Sequence, residues 1–166
     1  MYPNDGFRAL GRRECLGLLP TVPIGRVVHT CQALPAVVPV DFGLDSDGAV
    51  LLRTAAASEL ARAVDGAVVA FEADAVDVET HSGWSVVVTG RAAVVTDTAE
   101  VERLERIGPR SWAPSSEEVF VRIEPELVTG RELVGGRTMY GLHLSARAPG
   151  ATGPVLRSRS PGGRSR

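Results

Sequence analysis

Residues 83–95 read GWSVVVTGRAAVV, a run free of proline and charged only at Arg91, with a glycine inside it at position 90. Valine, threonine and tryptophan suit the pleated, half-buried surface of a strand. A glycine within such a run weakens a straight strand and marks a bulge or a sharp bend. A long strand that bends in its middle can belong to two sheets at once. That device belongs to barrels, and no other stretch narrows the fold as much.

The other segments agree with a barrel. Ile24–Cys31 (IGRVVHTC) and residues 36–42 (AVVPVDF) are predicted strands, with a turn at residues 32–35. Residues 43–48 (GLDSDG) are polar and end in Asp-Gly, a hairpin signal. Further strands are predicted over residues 49–53, 67–73, 119–123 and Leu127–Leu133, the last extending or following its neighbour. Short helices are predicted between them. Residues 7–19 put Phe7, Leu10, Cys15, Leu18 and Leu19 on one face, and Pro20 and Pro23 end that helix. Residues 58–64 form a second, with Ser58 as N-cap. Residues 97–107 form the clearest: Asp97 caps it, Glu100 stands three residues on, and Val101, Leu104 and Ile107 share a face. The acidic stretch with Glu72, Asp74, Asp77 and Glu79 reads as a solvated turn between strands, although paired carboxylates can also do acid–base work.

With 166 residues, 44% of them hydrophobic, the chain is large enough for one domain with a real core. No apolar run reaches 18 residues, so no membrane-spanning segment is expected. The first 20 residues carry charges where a secretory signal needs apolar ones, and a cytoplasmic protein is expected. Cys15 and Cys31 lack metal-ligand spacing and are expected to be buried, reduced thiols; His29, His81 and His143 form no metal motif. His29 reads as an exposed or satisfied strand histidine. All 18 basic residues are arginine, and five of them lie in residues 147–166 without an acid. That Pro/Gly/Ser-rich tail is expected to be disordered, without specific nucleic-acid binding. The domain plan is therefore a helical segment at 1–22, a barrel at 23–146 and the tail. Very apolar strands point to a sticky outer face and a homodimer. No GxGxxG or GxxxxGK[ST] pattern occurs, which excludes the usual nucleotide loops.

The order of short motifs adds to this. GRVV at 25–28, VVPV at 37–40, LLRTAAASEL at 51–60, VAFEADAVD at 69–77, SGWSVVVTGRAAVV at 82–95, SWAP at 111–114 and RIEPELVTGREL at 122–133 follow one another. This series resembles the FMN-binding split-barrel family related to pyridoxamine phosphate oxidase, over roughly residues 14–133. The resemblance implies a mainly β fold, a six-stranded antiparallel split barrel, dimeric, with FMN in a groove between subunits. Val38, Pro39 and Val40 would run beside the flavin ring; equally, Pro39 would guard an edge strand against aggregation.

The corner RTAAASEL would hold the flavin phosphate through the guanidinium fork of Arg53, the hydroxyls of Thr54 and Ser58, and the amides of the helix start, with Leu60 behind them. The family commonly has lysine where this chain has Glu59, so one cation is replaced by an anion. Arg26, Arg91 and Arg131 are candidate substitutes. Trp84 and Ser85 would approach the flavin, or Trp84 would anchor the core or the dimer. Trp112 would cover a neighbouring pocket, or anchor its loop. The implied function is a flavin-dependent oxidoreductase acting on a small molecule. The alternative is a non-catalytic carrier of flavin, deazaflavin or haem, with a histidine as axial ligand for the last.

Overall fold

The computed structural model of the chain describes residues 7–111 and 115–133. Strand β1 (Phe7–Leu10) leads into helix α1 (Arg12–Leu18) and a 3-10 turn at Leu19–Thr21. Strands β2 (Ile24–Cys31), β3 (Leu34–Leu44) and β4 (Val50–Ala55) form successive hairpins. Helix α2 (Glu59–Val64) precedes β5 (Val68–Asp77) and β6 (Ser82–Val94). Helix α3 (Thr98–Ile107) then leads to β7 (Glu118–Ile123) and β8 (Leu127–Leu133). Every pairing is antiparallel.

Six strands close into a ring in the order β6-β5-β2-β3-β4-β7, with β7 returning to β6. Strands β8 and β1 extend the sheet outward from β6. The described residues thus form a six-stranded antiparallel barrel with two added strands and three short α-helices. Closure depends on the bend in β6. Its residues 82–91 pair with β5, and Ala92 to Val94 pair with β7. At the changeover a side chain on Gly90 would place its Cβ 1.8 Å from the Glu124 carbonyl oxygen. Only glycine permits that approach, which is how the interior glycine converts one strand into a barrel corner.

The interior is filled by alternate residues of the ring: Val27, Val50, Leu52, Val69, Phe71, Val86, Val88, Val121 and Ile123 are all buried. Phe71 stacks obliquely on Phe42, with centroids 4.7 Å apart. Helix α1 plugs this core with Cys15 and lies so close to β8 that a Cβ on Gly130 would sit 2.6 Å from the Cys15 Sγ. Helix α3 makes a second, smaller core on the other side of the barrel wall, from Leu51, Leu104 and Phe120 with Val95 against them.

Four sequence expectations differ from the structure. Residues 7–10 are a strand rather than helix, because the open edge of β8 offers four consecutive partners, Phe7↔Leu133 to Leu10↔Gly130. The turn after β2 is two residues, Gln32 and Ala33, both with positive φ (49° and 64°), so β3 begins at Leu34. The acidic stretch is strand as far as Asp77. Glu72 and Asp74 stay on it because Arg26, across on β2, donates to both at 3.0 Å. His29 is 6% exposed and its Nδ1 has no hydrogen-bond partner, so it is neither exposed nor satisfied at that atom. Its alternation with Val27 on β2 turns it to the barrel interior. The strand Ile24–Cys31, the Asp97 cap and the Asp-Gly turn at residues 45–48 lie where they were predicted. Cys15 is buried, Cys31 half-buried, and both are free thiols. Trp112, His143 and the tail at 147–166 lie outside the described residues. No helix among the described residues is long and apolar enough to cross a membrane.

Candidate functional site

Strands β3 and β4 pair only from Phe42↔Leu52 to Leu44↔Val50 and then diverge. Proline explains the divergence. The two-residue turn makes Cys31 and Leu34 a hydrogen-bonded pair, and such pairs alternate along an antiparallel ladder. Arg26↔Pro39 therefore falls at a position where the backbone of residue 39 faces away from β2. Continued in register, β3 and β4 would set Pro39 opposite Ala55. Proline has no N–H to give to that rung. Beyond Asp41 the edge of β3 stays open, while β4 turns to β7 as far as Ala55↔Glu118.

A groove of about 280 Å3 fills the split. Val38, Pro39, Val40 and Asp41 line one side, Arg53, Thr54 and Ala55 the other, and Ser58, Leu60 and Ser111 close it. Seven of the nine predicted cofactor-binding residues thus converge on one cleft from β3, β4 and the start of α2. Thr54 Oγ1 and Ser58 Oγ stand 3.2 Å apart, and Ser58 Oγ accepts the Ala61 N–H at 3.0 Å as an N-cap. Helix α2 spans only Glu59–Val64, so the polar character of the corner rests on Arg53 and the two hydroxyls rather than on a helix dipole.

Arg53 is held by two carboxylates that sequence reasoning did not bring to the corner. Its Nη2 donates to Glu105 of α3 at 3.0 Å. Its Nε lies 2.6 Å from Glu118 of β7, an ion-pair contact at an angle that makes no hydrogen bond, so this buried nitrogen remains without a hydrogen-bond partner. The guanidinium also lies over the Phe120 ring, 5.0 Å from its centroid. Both glutamates come from elements far away in sequence. The only local hint was the acidic start of EEVFVRI, whose first rungs pair with the end of β4.

Glu59 does not face this cleft. Its Oε1 accepts the Cys31 thiol at 2.6 Å, and that bond holds the Cys31 pKa above the usual thiol value. The three candidate replacement arginines lie elsewhere: Arg26 on Glu72 and Asp74, Arg91 on the Gly66 carbonyl, and Arg131 over Phe7.

Trp84 and Ser85 are not in the Arg53 groove. They line a second one, about 490 Å3, with Phe7, Val76, Val87 and Arg131 among its walls, on the β5-β6-β8-β1 side of the barrel. Trp84 packs partly against the core, and Ser85 donates to Glu72 at 3.2 Å. Neither His29 nor the turn residue His81 lines either groove.

A closed six-stranded antiparallel ring, parted between two strands by a proline, with a guanidinium and hydroxyls in the parting, defines a split barrel with a polar cleft. Comparison with known proteins narrows the class: the sequence pattern described as "Pyridoxamine 5'-phosphate oxidase" matches residues 11–132, and the chain belongs to that family. The uncharacterized protein Rv0080 of Mycobacterium tuberculosis is 44% identical over 130 residues, covering 75% of this chain and 84% of that one. The structure of the FAD binding protein from Mycobacterium smegmatis is 36% identical and superposes with a TM-score of 0.66, covering 75% of this chain and 98% of that one. A conserved protein of unknown function from Corynebacterium diphtheriae, DIP1874, is 32% identical with a TM-score of 0.66, covering 78% of this chain and 100% of that one.

Proposed function

We propose that the chain is a flavin-dependent oxidoreductase that holds the flavin by its phosphate in the Arg53 groove. The convergence of Val38, Pro39, Val40, Arg53, Thr54, Ser58 and Leu60 on one cleft carries this reading. The donor set suits a phosphate: one cation, Arg53, and two hydroxyls within reach of each other. The apolar wall of Val38 and Val40, beside a backbone edge left open by Pro39, suits a planar ring with polar atoms on its rim. The description of the M. smegmatis relative as FAD-binding supports a flavin. The sequence expectation names FMN, and both flavins carry a phosphate at the same ribityl end.

A bound flavin supplies the electron chemistry, and the chain supplies binding, orientation and electrostatics. Arg53 neutralises and positions the phosphate, Thr54 and Ser58 donate to it, and Leu60 keeps water from its inner side. The substrate is a small molecule that reaches the ring from the open side of the cleft.

The working form is a homodimer in the cytoplasm. The apolar residues Val76, Phe7 and Val87 around the second groove, with Trp84, favour a second copy there. In such a dimer Trp84 and Ser85 of one protomer would complete the cleft of the other. A carrier role is the second reading, and the two carboxylates already on Arg53 favour it because they weaken the hold on an anion. The visible spectrum of the purified protein, followed by titration of apo-protein with flavin, tests both. Oxidised-flavin bands bleached by a nicotinamide donor support the oxidoreductase. Bands that no donor bleaches support the carrier. A colourless protein that takes up no flavin rejects the oxidoreductase and leaves the non-catalytic reading, which uptake of deazaflavin or haem would then support.

A further inference from the structure

Each of the two grooves is lined by one arginine, and the two arginines differ in their company. Arg53 is held by Glu105 and Glu118. Arg131 has no carboxylate and no hydrogen bond among the described residues; its guanidinium lies over the Phe7 ring, 5.6 Å from the centroid. A ring face attracts the charge but takes none of the N–H groups in the guanidinium plane, so the fork stays open to an acceptor. On β8 Thr129 and Arg131 share a face, beside Val87 and Ser85 of β6. Val76, Val87, Leu133 and Trp84 make most of the remaining wall apolar, and no described lining residue is acidic. Glu72, next to Ser85, is already taken by that hydroxyl and by Arg26. The volume, about 490 Å3, falls within the range of about 300–1,000 Å3 that small-ligand sites occupy.

We propose that this second groove is a binding site for a small aromatic carboxylate, with the carboxylate on the Arg131 fork and the ring against the apolar wall. A guanidinium meets a carboxylate through paired parallel hydrogen bonds, and the Thr129 hydroxyl, which has no partner among the described residues, can add to them. One uncompensated cation balances a monoanion, whereas a phosphomonoester, with close to two charges at neutral pH, would keep one unpaired. Phe7 and Trp84 give a flat ring more contact than an aliphatic acid could use. The site does not depend on flavin. The second copy proposed above would rest on the rim of this groove and leave its recess free for a ligand of this size.

The test is energy transfer from tryptophan to anthranilate, with anthranilamide as the neutral isostere, in the full-length protein freed of any flavin. Anthranilate is expected to bind about tenfold more tightly than anthranilamide, as a charge-assisted contact provides. Arg131→Gln should remove that preference and leave anthranilamide binding unchanged. Arg131→Lys should keep about threefold of it, because an ammonium lacks the fork. Trp84→Phe should remove most of the energy transfer, which puts the ligand in this groove. Equal affinities in the wild type, a preference that survives Arg131→Gln, or transfer that Trp84→Phe leaves intact each overturns the proposal. Arg131 is exposed, so its replacement leaves the core untouched; should Trp84→Phe fold poorly, the two Arg131 variants decide by themselves. The readout needs no flavin. Its failure leaves the flavin reading standing, and a protein that takes up no flavin leaves this proposal standing.

Discussion

Two arginine clusters flank helix α3, and they differ in how completely they are satisfied. On one side Asp45, in the β3–β4 turn, accepts both guanidinium nitrogens of Arg103, at 3.1 and 2.6 Å, the Arg122 Nη1 at 2.6 Å and the Ser46 N–H at 2.8 Å. Arg122 spends its other nitrogens on Glu124 and Asp47, and Arg103 also holds Glu100. On the other side Arg53 donates one hydrogen bond among the described residues and keeps a buried Nε without one. Neither of the two grooves described above is lined by Asp45, Arg103 or Arg122. The second cluster borders an open groove and two hydroxyls. A multiply hydrogen-bonded network ties α3 to the barrel, whereas Arg53, ion-paired to Glu105 and Glu118, stands at the wall of a groove. The number of hydrogen bonds separates the two arginines more sharply than burial does, since Arg53 and Arg122 side chains are each 21% exposed.

The largest effect should come from breaking the multiply hydrogen-bonded side. Asp45→Asn leaves Arg103 and Arg122 with one neutral amide oxygen in place of the shared carboxylate, and sets an NH2 donor against them; it should cost about 2–3 kcal/mol of stability, measured by urea unfolding. Flavin affinity should not change. Arg53→Ala should reverse the pattern: flavin affinity falls about tenfold to a hundredfold, while stability falls by about 1 kcal/mol from the lost Phe120 and carboxylate contacts. Equal losses of stability in the two variants would erase the distinction between the clusters.

Acid should separate them next. The guanidinium of Arg103 is the main reason that the Asp45 carboxyl is held at about 2, below its ordinary 3.8. A depressed folded-state pKa contributes stability that is fully present above the unfolded value and is lost as the pH falls through the folded one. Between pH 4 and pH 2 the wild type should therefore lose about 1–2 kcal/mol that Asp45→Asn does not lose, after allowance for solvent screening. Paired urea titrations at several pH values read this difference directly, because the exposed carboxylates are common to both proteins.

The barrel was legible because its strands alternate and Gly90 marks its corner. The N-terminal strand was not: Phe7, Arg8, Ala9 and Leu10 are too few to separate period 2 from period 3.6, and what makes them a strand is the distant edge of β8. The end of β5 was hidden similarly, since Glu72 and Asp74 look like turn residues until Arg26 is known to lie beside them. In the site, Thr54 and Ser58 were legible because one corner places them within four residues. Glu105 and Glu118 were not, because only tertiary structure brings α3 and β7 to Arg53. Trp84 was assigned to the same site as Arg53, yet within one chain the two belong to different grooves.

The smallest expected effect concerns Glu59, the acid that stands where the sequence resemblance led a lysine to be expected. By position alone it should repel a phosphate, and Glu59→Gln should then tighten flavin binding as much as Glu118→Gln, which takes a charge off Arg53. The geometry says otherwise. Glu59 accepts the Cys31 thiol and does not line the groove. Glu59→Gln should change flavin affinity by less than about threefold, because a charge directed into solvent and onto a thiol is screened at the cleft. The same substitution should bring the Cys31 thiol back toward its ordinary pKa, since its hydrogen bond to Glu59 is the main cause of the upward shift. The rate of Cys31 alkylation against pH measures that directly. A shifted alkylation profile with unchanged flavin affinity would assign Glu59 to the thiol; an affinity gain equal to that of Glu118→Gln would put it back in the Arg53 cluster.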